Sequence, residues 1–136
     1  MSEIKLYNTL TRCIDRFEPR EAGRVGVYVC GPTTYDLPHA GHARAAVAFD
    51  TLVRQLQARG LEVTYVRNIT DVDDKILARC RQSGETPLEL SRRMAQTYQE
   101  QMRALGCQDP THEPRVSEHI PQLIELVSRL VEQGAG

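Results

Sequence analysis

The chain has 136 residues, of which 40% are hydrophobic and 26% are charged, so it is long enough for one compact domain and short for two. This composition excludes a collagen-like chain and a long disordered tail. Seventeen basic residues against eighteen acidic ones give a formal net charge of −1. No bulk positive charge therefore favours nucleic-acid binding, and any contact with RNA would be local.

Nothing in the sequence predicts a membrane protein or a secreted one. No apolar stretch approaches the roughly 20 residues that span a bilayer, and the first five residues lack the apolar segment of a secretory signal. The four cysteines lie far apart without a CxxC pair, so we expect reduced thiols in the cytoplasm. They are Cys13, Cys30, Cys80 and Cys107. With no repeat and no linker, residues 1–136 are predicted to form one unit.

The first half of the chain predicts a parallel βαβ unit. Residues 24–30 are short, apolar and rich in β-branched side chains, which is typical of a buried strand. Residues 42–59 have apolar positions at helical spacing and end before Gly60, and residues 61–67 predict a second strand. The connection should be right-handed. The apolar positions of this helix are Ala46, Val47, Phe49, Val53 and Leu56.

The second half predicts three helices, so the fold class is α/β. The first helix should be capped by Thr70 or Asp71, carry three aspartates in its first turn and end before Gly84. The second should begin with a capping box of Thr86 and Glu89 and reach residues 105–106. The third should be capped by Ser117. Its apolar face comprises Ile120, Leu123, Ile124, Val127, Leu130 and Val131.

Polar residues follow both predicted strands, where the ligands of open α/β sheets bind. The first strand leads into residues 30–36 and 39–42, and the second into residues 68–71. Because the carboxyl ends of parallel strands share one edge of a sheet, we expect both segments to open onto a single crevice.

His39 and His42, with Gly41 between them, lie at the predicted start of a helix. Free N–H groups there attract anions, so a phosphate chain fits this environment, and Gly41 would let a nucleotide approach the backbone. The tetrapeptide by itself also fits two histidines that only cap the helix.

Other polar residues have alternative interpretations. Cys30 is either a small buried thiol or one ligand of a metal whose other ligands are remote in sequence. Thr70 with the aspartates Asp71, Asp73 and Asp74 fits an acidic site for a cation or an amino group, or simple helix capping. Four arginines could contact RNA phosphates or form solvated helix faces. They are Arg92, Arg93, Arg103 and Arg115.

Taken together, four segments resemble the N-terminal part of the cysteinyl-tRNA synthetase family. They are Leu6-Tyr7-Asn8-Thr9-Leu10-Thr11-Arg12, Tyr28-Val29-Cys30-Gly31-Pro32-Thr33, His39-Ala40-Gly41-His42 and Arg67-Asn68-Ile69-Thr70-Asp71-Val72-Asp73-Asp74-Lys75-Ile76. The resemblance runs nearly from end to end and includes Leu105-Gly106 and Glu113-Pro114-Arg115.

This resemblance implies a class I synthetase with a partial Rossmann-type domain. Such an enzyme condenses cysteine with ATP, accompanied by Mg²⁺, to cysteinyl-adenylate and transfers cysteine to tRNA-Cys. His39 and His42 would be catalytic and would bind the ATP phosphates, with Thr33 and Gly41 also at the ATP site. Cys30, Gly31 and Thr70 would bind cysteine, and Cys30 would be one ligand of a zinc that takes the substrate thiolate. A soft metal would separate cysteine from serine better than an apolar pocket.

The chain departs from the family pattern at two motif positions. Ala40 replaces the usual isoleucine, and Thr34 stands where valine is expected. The family's other zinc ligands, its second ATP signature and its anticodon-binding helices would lie beyond Gly136, so we expect weak or absent aminoacylation by this chain alone.

Two alternatives remain open. One is a nucleotide- or partner-binding module without catalysis, which would self-associate or bind a complementary half through an exposed sheet edge. The other is a related ligase that joins cysteine to an amino sugar.

Overall fold

A parallel strand pair lies at the centre of the computed structural model, which describes residues 3–135. Strand β3 (Arg24–Val29) pairs with β4 (Glu62–Arg67) from the register Arg24–Glu62 to Val29–Arg67, and helix α1 (Ala40–Gln57) connects them. The predicted βαβ unit is confirmed, and its bounds differ by one or two residues.

The apolar stripe of α1 is narrower than predicted. Ala46, Val53 and Leu56 are buried, but Val47 and Phe49 are 43% and 39% exposed. Asp50 is buried instead, because its carboxylate accepts hydrogen bonds from Arg54 Nε at 2.7 Å and from the backbone N–H of Gln108 at 2.8 Å. A carboxylate whose oxygens both accept hydrogen bonds thus occupies part of the buried face of α1.

An antiparallel hairpin precedes this unit, where the sequence analysis predicts no element. Strand β1 (Lys5–Asn8) pairs with β2 (Cys13–Arg16). The turn contains Arg12 at φ 57°, and Asn8 Oδ1 accepts the backbone N–H of Leu10 at 3.0 Å. The hairpin is a separate two-stranded sheet.

The three predicted helices are confirmed, and a short 3₁₀ turn precedes the last of them. They are α2 (Asp74–Ser83), α3 (Pro87–Ala104), the 3₁₀ turn (Val116–His119) and α4 (Ile120–Glu132). Gly84 ends α2 at φ 76°, and Thr86 and Glu89 form the predicted capping box of α3. Within residues 3–135, no helix is long and apolar enough to cross a membrane.

Two predicted helix caps are wrong. Asp73 caps α2, and its carboxylate accepts the N–H of Lys75 at 2.8 Å. Thr70 and Asp71 therefore lie outside the helix. Of the three aspartates, Asp74 alone is in the first turn. Ser117 does not cap α4. Its backbone N–H and hydroxyl donate to Asp71 at 2.9 and 2.5 Å, because the 3₁₀ turn packs beside the end of β4.

Helix α3 joins the other layers through two clusters of buried side chains. One contains Ile76, Leu90 and Met94, between α2 and α3. The other contains Ala46, Tyr98, Met102 and Cys107, between α1 and α3. The apolar face of α4 is also present, but its side chains are exposed.

The outer edge of β4 is covered by residues 111–116. Thr111 N–H donates to the Tyr65 carbonyl at 2.7 Å, and Ile69 N–H donates to the Pro114 carbonyl at 2.9 Å. The exposed sheet edge expected from the sequence is therefore not on the β4 side.

A buried ion pair fixes this covering segment to the sheet. Arg67 is 3% exposed, and its Nη2 donates to Glu113 Oε1 at 2.7 Å. The guanidinium carbon also lies 5.0 Å from the centre of the Tyr98 ring. Burial by itself lowers the pKa of Arg67. The hydrogen bond to Glu113 and nearby groups raise this pKa by more than burial lowers it, so the net pKa is above the usual value. Arg67 therefore stays charged and depends on Glu113.

We predict that Glu113→Ala lowers the free energy of unfolding by about 3 kcal/mol, because it leaves a buried guanidinium without its carboxylate. Urea denaturation measures the change. Glu85→Ala is the matched control, since it removes the carboxylate partner of Arg93, whose guanidinium is exposed, and we expect a much smaller loss. Equal losses in the two variants would contradict this account of Arg67.

Candidate functional site

His39 and His42 cap helix α1 reciprocally. His39 Nδ1 accepts the backbone N–H of Gly41 at 3.0 Å, and His42 Nδ1 accepts the backbone N–H of His39 at 3.1 Å. A neutral imidazole that accepts through Nδ1 carries its proton on Nε2. The capping therefore leaves both rings with an Nε2–H donor at the positive end of a helix.

Gly41 is required by the His39 ring itself. A Cβ at position 41 would lie 2.8 Å from His39 Cε1 and 3.0 Å from His39 Nδ1. Any larger residue would push the ring away from the N–H that it accepts. The room for adenosine that the resemblance assigns to Gly41 stays a prediction.

The environment of His42 favours its neutral form. The ring centres of His39 and His42 are 4.1 Å apart, and those of His42 and Tyr98 are 6.4 Å apart with the two rings nearly perpendicular. Burial lowers the pKa of His42, and the nearby charge of His39 lowers it further. The ring is therefore a neutral hydrogen-bond donor near pH 7.

The side chain of Asn68 joins the ends of the two central strands. Its Oδ1 accepts the backbone N–H of Gly31 at 2.8 Å and the Tyr28 hydroxyl at 3.0 Å, and its Nδ2 donates to Thr70 Oγ1 at 3.2 Å. Asn68 lies in the predicted strand-end segment but is not among the predicted site residues. The signal that could have identified it is an amide directly after a buried strand.

Gly31 lies against the backbone of the neighbouring strand. A Cβ at this position would be 1.5 Å from the carbonyl oxygen of Asn68. The close approach allows the Gly31 N–H to reach the Asn68 side chain, so only glycine fits here.

The two strand-end segments continue as a backbone-paired loop. Thr33 pairs with Thr70, whose N–H donates to the Pro32 carbonyl at 3.1 Å and whose carbonyl accepts the Thr34 N–H at 3.1 Å. Thr34 is 2% exposed, and its hydroxyl lies 2.5 Å from Ser91 Oγ. Thr34 stands where valine is expected, and its hydroxyl thus has a hydrogen-bond partner in the Ser91 hydroxyl on α3.

A narrow recess brings some of the predicted site residues together. It is lined by Pro32, Thr33, Thr34, Asp36, Pro38, His42, Met94 and Tyr98. Thr33 and His42 share this recess, while Thr70 pairs with Thr33 and Gly31 is linked to Thr70 through Asn68. His39 instead borders a neighbouring groove that includes Met102 and Leu105.

Cys30 is separate from this recess. It is exposed, and its Sγ lies 3.8 Å from the carbonyl oxygen of the adjacent Gly31. In the described part of the chain, no group of three or more His, Cys, Asp or Glu side chains could hold a metal ion. Zinc sites use about four ligands, so the described residues do not fit a zinc site, and Cys30 could provide one ligand at most.

The family model of the class I (C) tRNA synthetase catalytic domain matches residues 16–136. The chain belongs to this family. The family confirms the class I assignment, and the α/β structure with its small parallel sheet fits a partial Rossmann-type fold.

Three relatives in this synthetase family are similar over nearly the whole chain. The cysteine–tRNA ligase, chloroplastic/mitochondrial, of Arabidopsis thaliana is 51% identical over 97% of this chain and 23% of its own length. The cysteine–tRNA ligase of Delftia acidovorans is 50% identical over 96% of this chain and 28% of its own length. That of Anaeromyxobacter sp. (strain K) is 52% identical over 96% of this chain and 27% of its own length. The chain thus spans about a quarter of each relative.

We predict that Gly31→Ala lowers the free energy of unfolding by about 3 kcal/mol or more, because the added methyl group overlaps the Asn68 carbonyl and the strands must separate. Gly26→Ala is the matched control. It lies in β3 with nothing within 4 Å of a new Cβ, so its stability should be unchanged or rise by about 0.4–1 kcal/mol. Thermal denaturation compares the two, and a stable Gly31→Ala variant would refute the close approach.

We predict that His42 titrates below the ordinary histidine pKa of 6.5. Because the pKa of His42 is lower in the folded than in the unfolded protein, the associated stability is fully present at pH values above the unfolded-state pKa. It is lost as the pH falls through the folded-state pKa. His39→Asn keeps a capping oxygen but removes the charge, so the pKa of His42 should rise while staying below 6.5, since burial is the larger cause. NMR titration of the ring protons tests both points, and a wild-type pKa at or above 6.5 would contradict them.

Proposed function

We propose that this chain supplies the ATP-phosphate and amino-acid binding groups of an ATP-dependent cysteine–tRNA ligase. The observation that carries the proposal is the reciprocal capping of His39 and His42, which leaves two Nε2–H donors at a helix N-terminus. The three relatives described above are cysteine–tRNA ligases, which supports cysteine and tRNA-Cys as substrates. They also favour tRNA over an amino sugar as the acceptor.

The proposed reaction has two steps. A carboxylate oxygen of cysteine attacks the α-phosphorus of ATP, an oxygen–phosphorus bond forms, and pyrophosphate leaves with the electrons of the broken bond. A hydroxyl at the 3′ end of tRNA-Cys then attacks the carbonyl carbon of the adenylate and forms an ester bond. AMP leaves with the electrons of the broken carbon–oxygen bond, and the hydroxyl proton is released. Mg²⁺ bound to the ATP substrate would neutralise part of the phosphate charge.

In the first step, His39 and His42 donate hydrogen bonds from Nε2 to phosphate oxygens. Their Nδ1 atoms are engaged by the backbone, so the rings need no reorientation as negative charge builds on the leaving pyrophosphate. The lowered pKa of His42 fits a neutral donor that stabilises charge without transferring a proton. Thr33 lines the same recess as His42, which supports its proposed contact with ATP.

Gly31 and Thr70 line the proposed cysteine pocket. Asn68 holds both of them, so the pocket is preorganised by hydrogen bonds within the protein. The zinc role of Cys30 stays a prediction from the family resemblance. We place the reaction in the cytoplasm, a reducing compartment that suits the four free cysteines.

We predict that His42→Ala weakens ATP binding by the 136-residue chain about ten- to hundredfold, since a hydrogen bond to a charged group contributes about 1.5–3 kcal/mol. Isothermal titration calorimetry with Mg²⁺–ATP measures the affinity, and the Nε2–H resonances of both rings should shift on binding.

The matched control is His112→Ala, which removes an exposed imidazole from the segment beside β4 and should leave ATP binding unchanged. Equal affinities of wild type and His42→Ala would overturn the proposed phosphate site. So would ATP-dependent shifts confined to His112 and His119.

A further inference from the structure

A second cavity lies between α3 and the 3₁₀ turn, away from the histidine pair. Its volume is about 620 Å³. It is lined by Leu88, Arg92, Gln96, Gln99, Arg115, Ser117 and Glu118. None of the residues assigned above to ATP or cysteine lines it, so its role is independent of the proposed function.

Arg115 contributes a partly buried guanidinium to the lining of this cavity. Its Nη1 is buried and has no hydrogen-bond partner, and it is the single buried side-chain nitrogen or oxygen in residues 3–135 of which this is true. A guanidinium stays charged at all physiological pH values, so burying part of it without an acceptor is costly. By contrast, Arg67 is buried against the carboxylate of Glu113.

No carboxylate among the described residues lies within ion-pair distance of Arg115. Asp71 accepts both hydrogen bonds of Ser117, and Glu113 accepts from Arg67 and Gln99. Glu118 lines the cavity but forms no ion pair with any residue that the structure describes.

Helix α3 adds a second guanidinium to the same cavity. Arg92, Gln96 and Gln99 are spaced four and three residues apart, so they lie on one face of the helix. Arg92 is exposed and has no ion pair among residues 3–135. Arg92 and Arg115 together outweigh the one carboxylate of Glu118, so the cavity carries a net positive charge.

We propose that this cavity binds an oxyanion of the phosphate class, with Arg115 and Arg92 as charged donors and Gln96 as a neutral one. Guanidinium groups match phosphate oxygens through paired N–H donors. The anion would offset the charge that the described protein leaves uncompensated at Arg115. A phosphate group can come from free phosphate or from an RNA backbone, and the two sources are separable by experiment.

The first experiment titrates the 136-residue His42→Ala protein with inorganic phosphate at constant ionic strength, so that the histidine site does not contribute. We expect saturable shifts of the Arg115 side-chain Nε resonance. Arg115→Gln and Arg92→Gln should each weaken phosphate binding about tenfold. Arg129→Gln, nine residues into α4 and about 13 Å along that helix from its start, removes the same charge and should bind like the parent.

Folding is checked separately. Without phosphate, Arg115→Met should unfold at the same or a higher temperature than the parent, because it removes a buried donor that has no acceptor. Phosphate should raise the unfolding temperature of the parent but not of this variant. If the Arg115 variants do not fold, Arg92→Gln and the Arg115 resonance of the parent still decide the question.

The second experiment adds an RNA hairpin to the phosphate-bound protein. If RNA displaces phosphate, and Arg115→Gln lowers the salt-dependence slope of RNA binding by about 1, the source is an RNA backbone phosphate. If phosphate binds and RNA does not compete, the source is a free anion. Phosphate shifts that do not saturate, or that are equal in the parent and in both arginine variants, would overturn the proposal while leaving the ATP site untouched.

Discussion

The side-chain amide of Asn68 is the interaction on which the candidate site depends. It holds Gly31 and Thr70, which lie just beyond the ends of the two strands. The backbone carbonyl of Asn68 comes so close to Gly31 that only glycine fits there. Since parallel strands end at the same edge, a single amide can hold both segments. The backbone pairing of Thr33 with Thr70 extends this connection toward the histidines.

The histidine pair shows how a local helix signal and a binding site can be the same feature. The two interpretations of the sequence, capping and phosphate binding, are compatible, because capping uses Nδ1 and leaves Nε2 free. Gly41 serves the same geometry, since its missing side chain makes room for the His39 ring. Capping therefore orients the donors that the proposed function requires.

Segment 111–116 provides a carboxylate partner for one arginine, Arg67 of β4, and contains a second arginine, Arg115, that has no such partner. Glu113 satisfies Arg67, which keeps its charge while almost fully buried beside Tyr98. Arg115, two residues farther along, has a buried nitrogen without an acceptor. The same chain segment thus stabilises the sheet through Glu113 and contributes Arg115 to the lining of a cavity.

The sequence by itself determined the βαβ unit, the three helices, the Thr86 capping box and the clustering of polar residues after both strands, because hydrophobic periodicity and local capping are encoded within short windows. Only the tertiary structure decided that Asn68 bridges the strands, that Ser117 binds Asp71 instead of capping a helix, and that Asp50 replaces Phe49 on the buried face of α1. It also placed Cys30 outside the recess. These outcomes depend on partners more than thirty residues away in sequence, such as Gln108 for Asp50, and no local pattern specifies them.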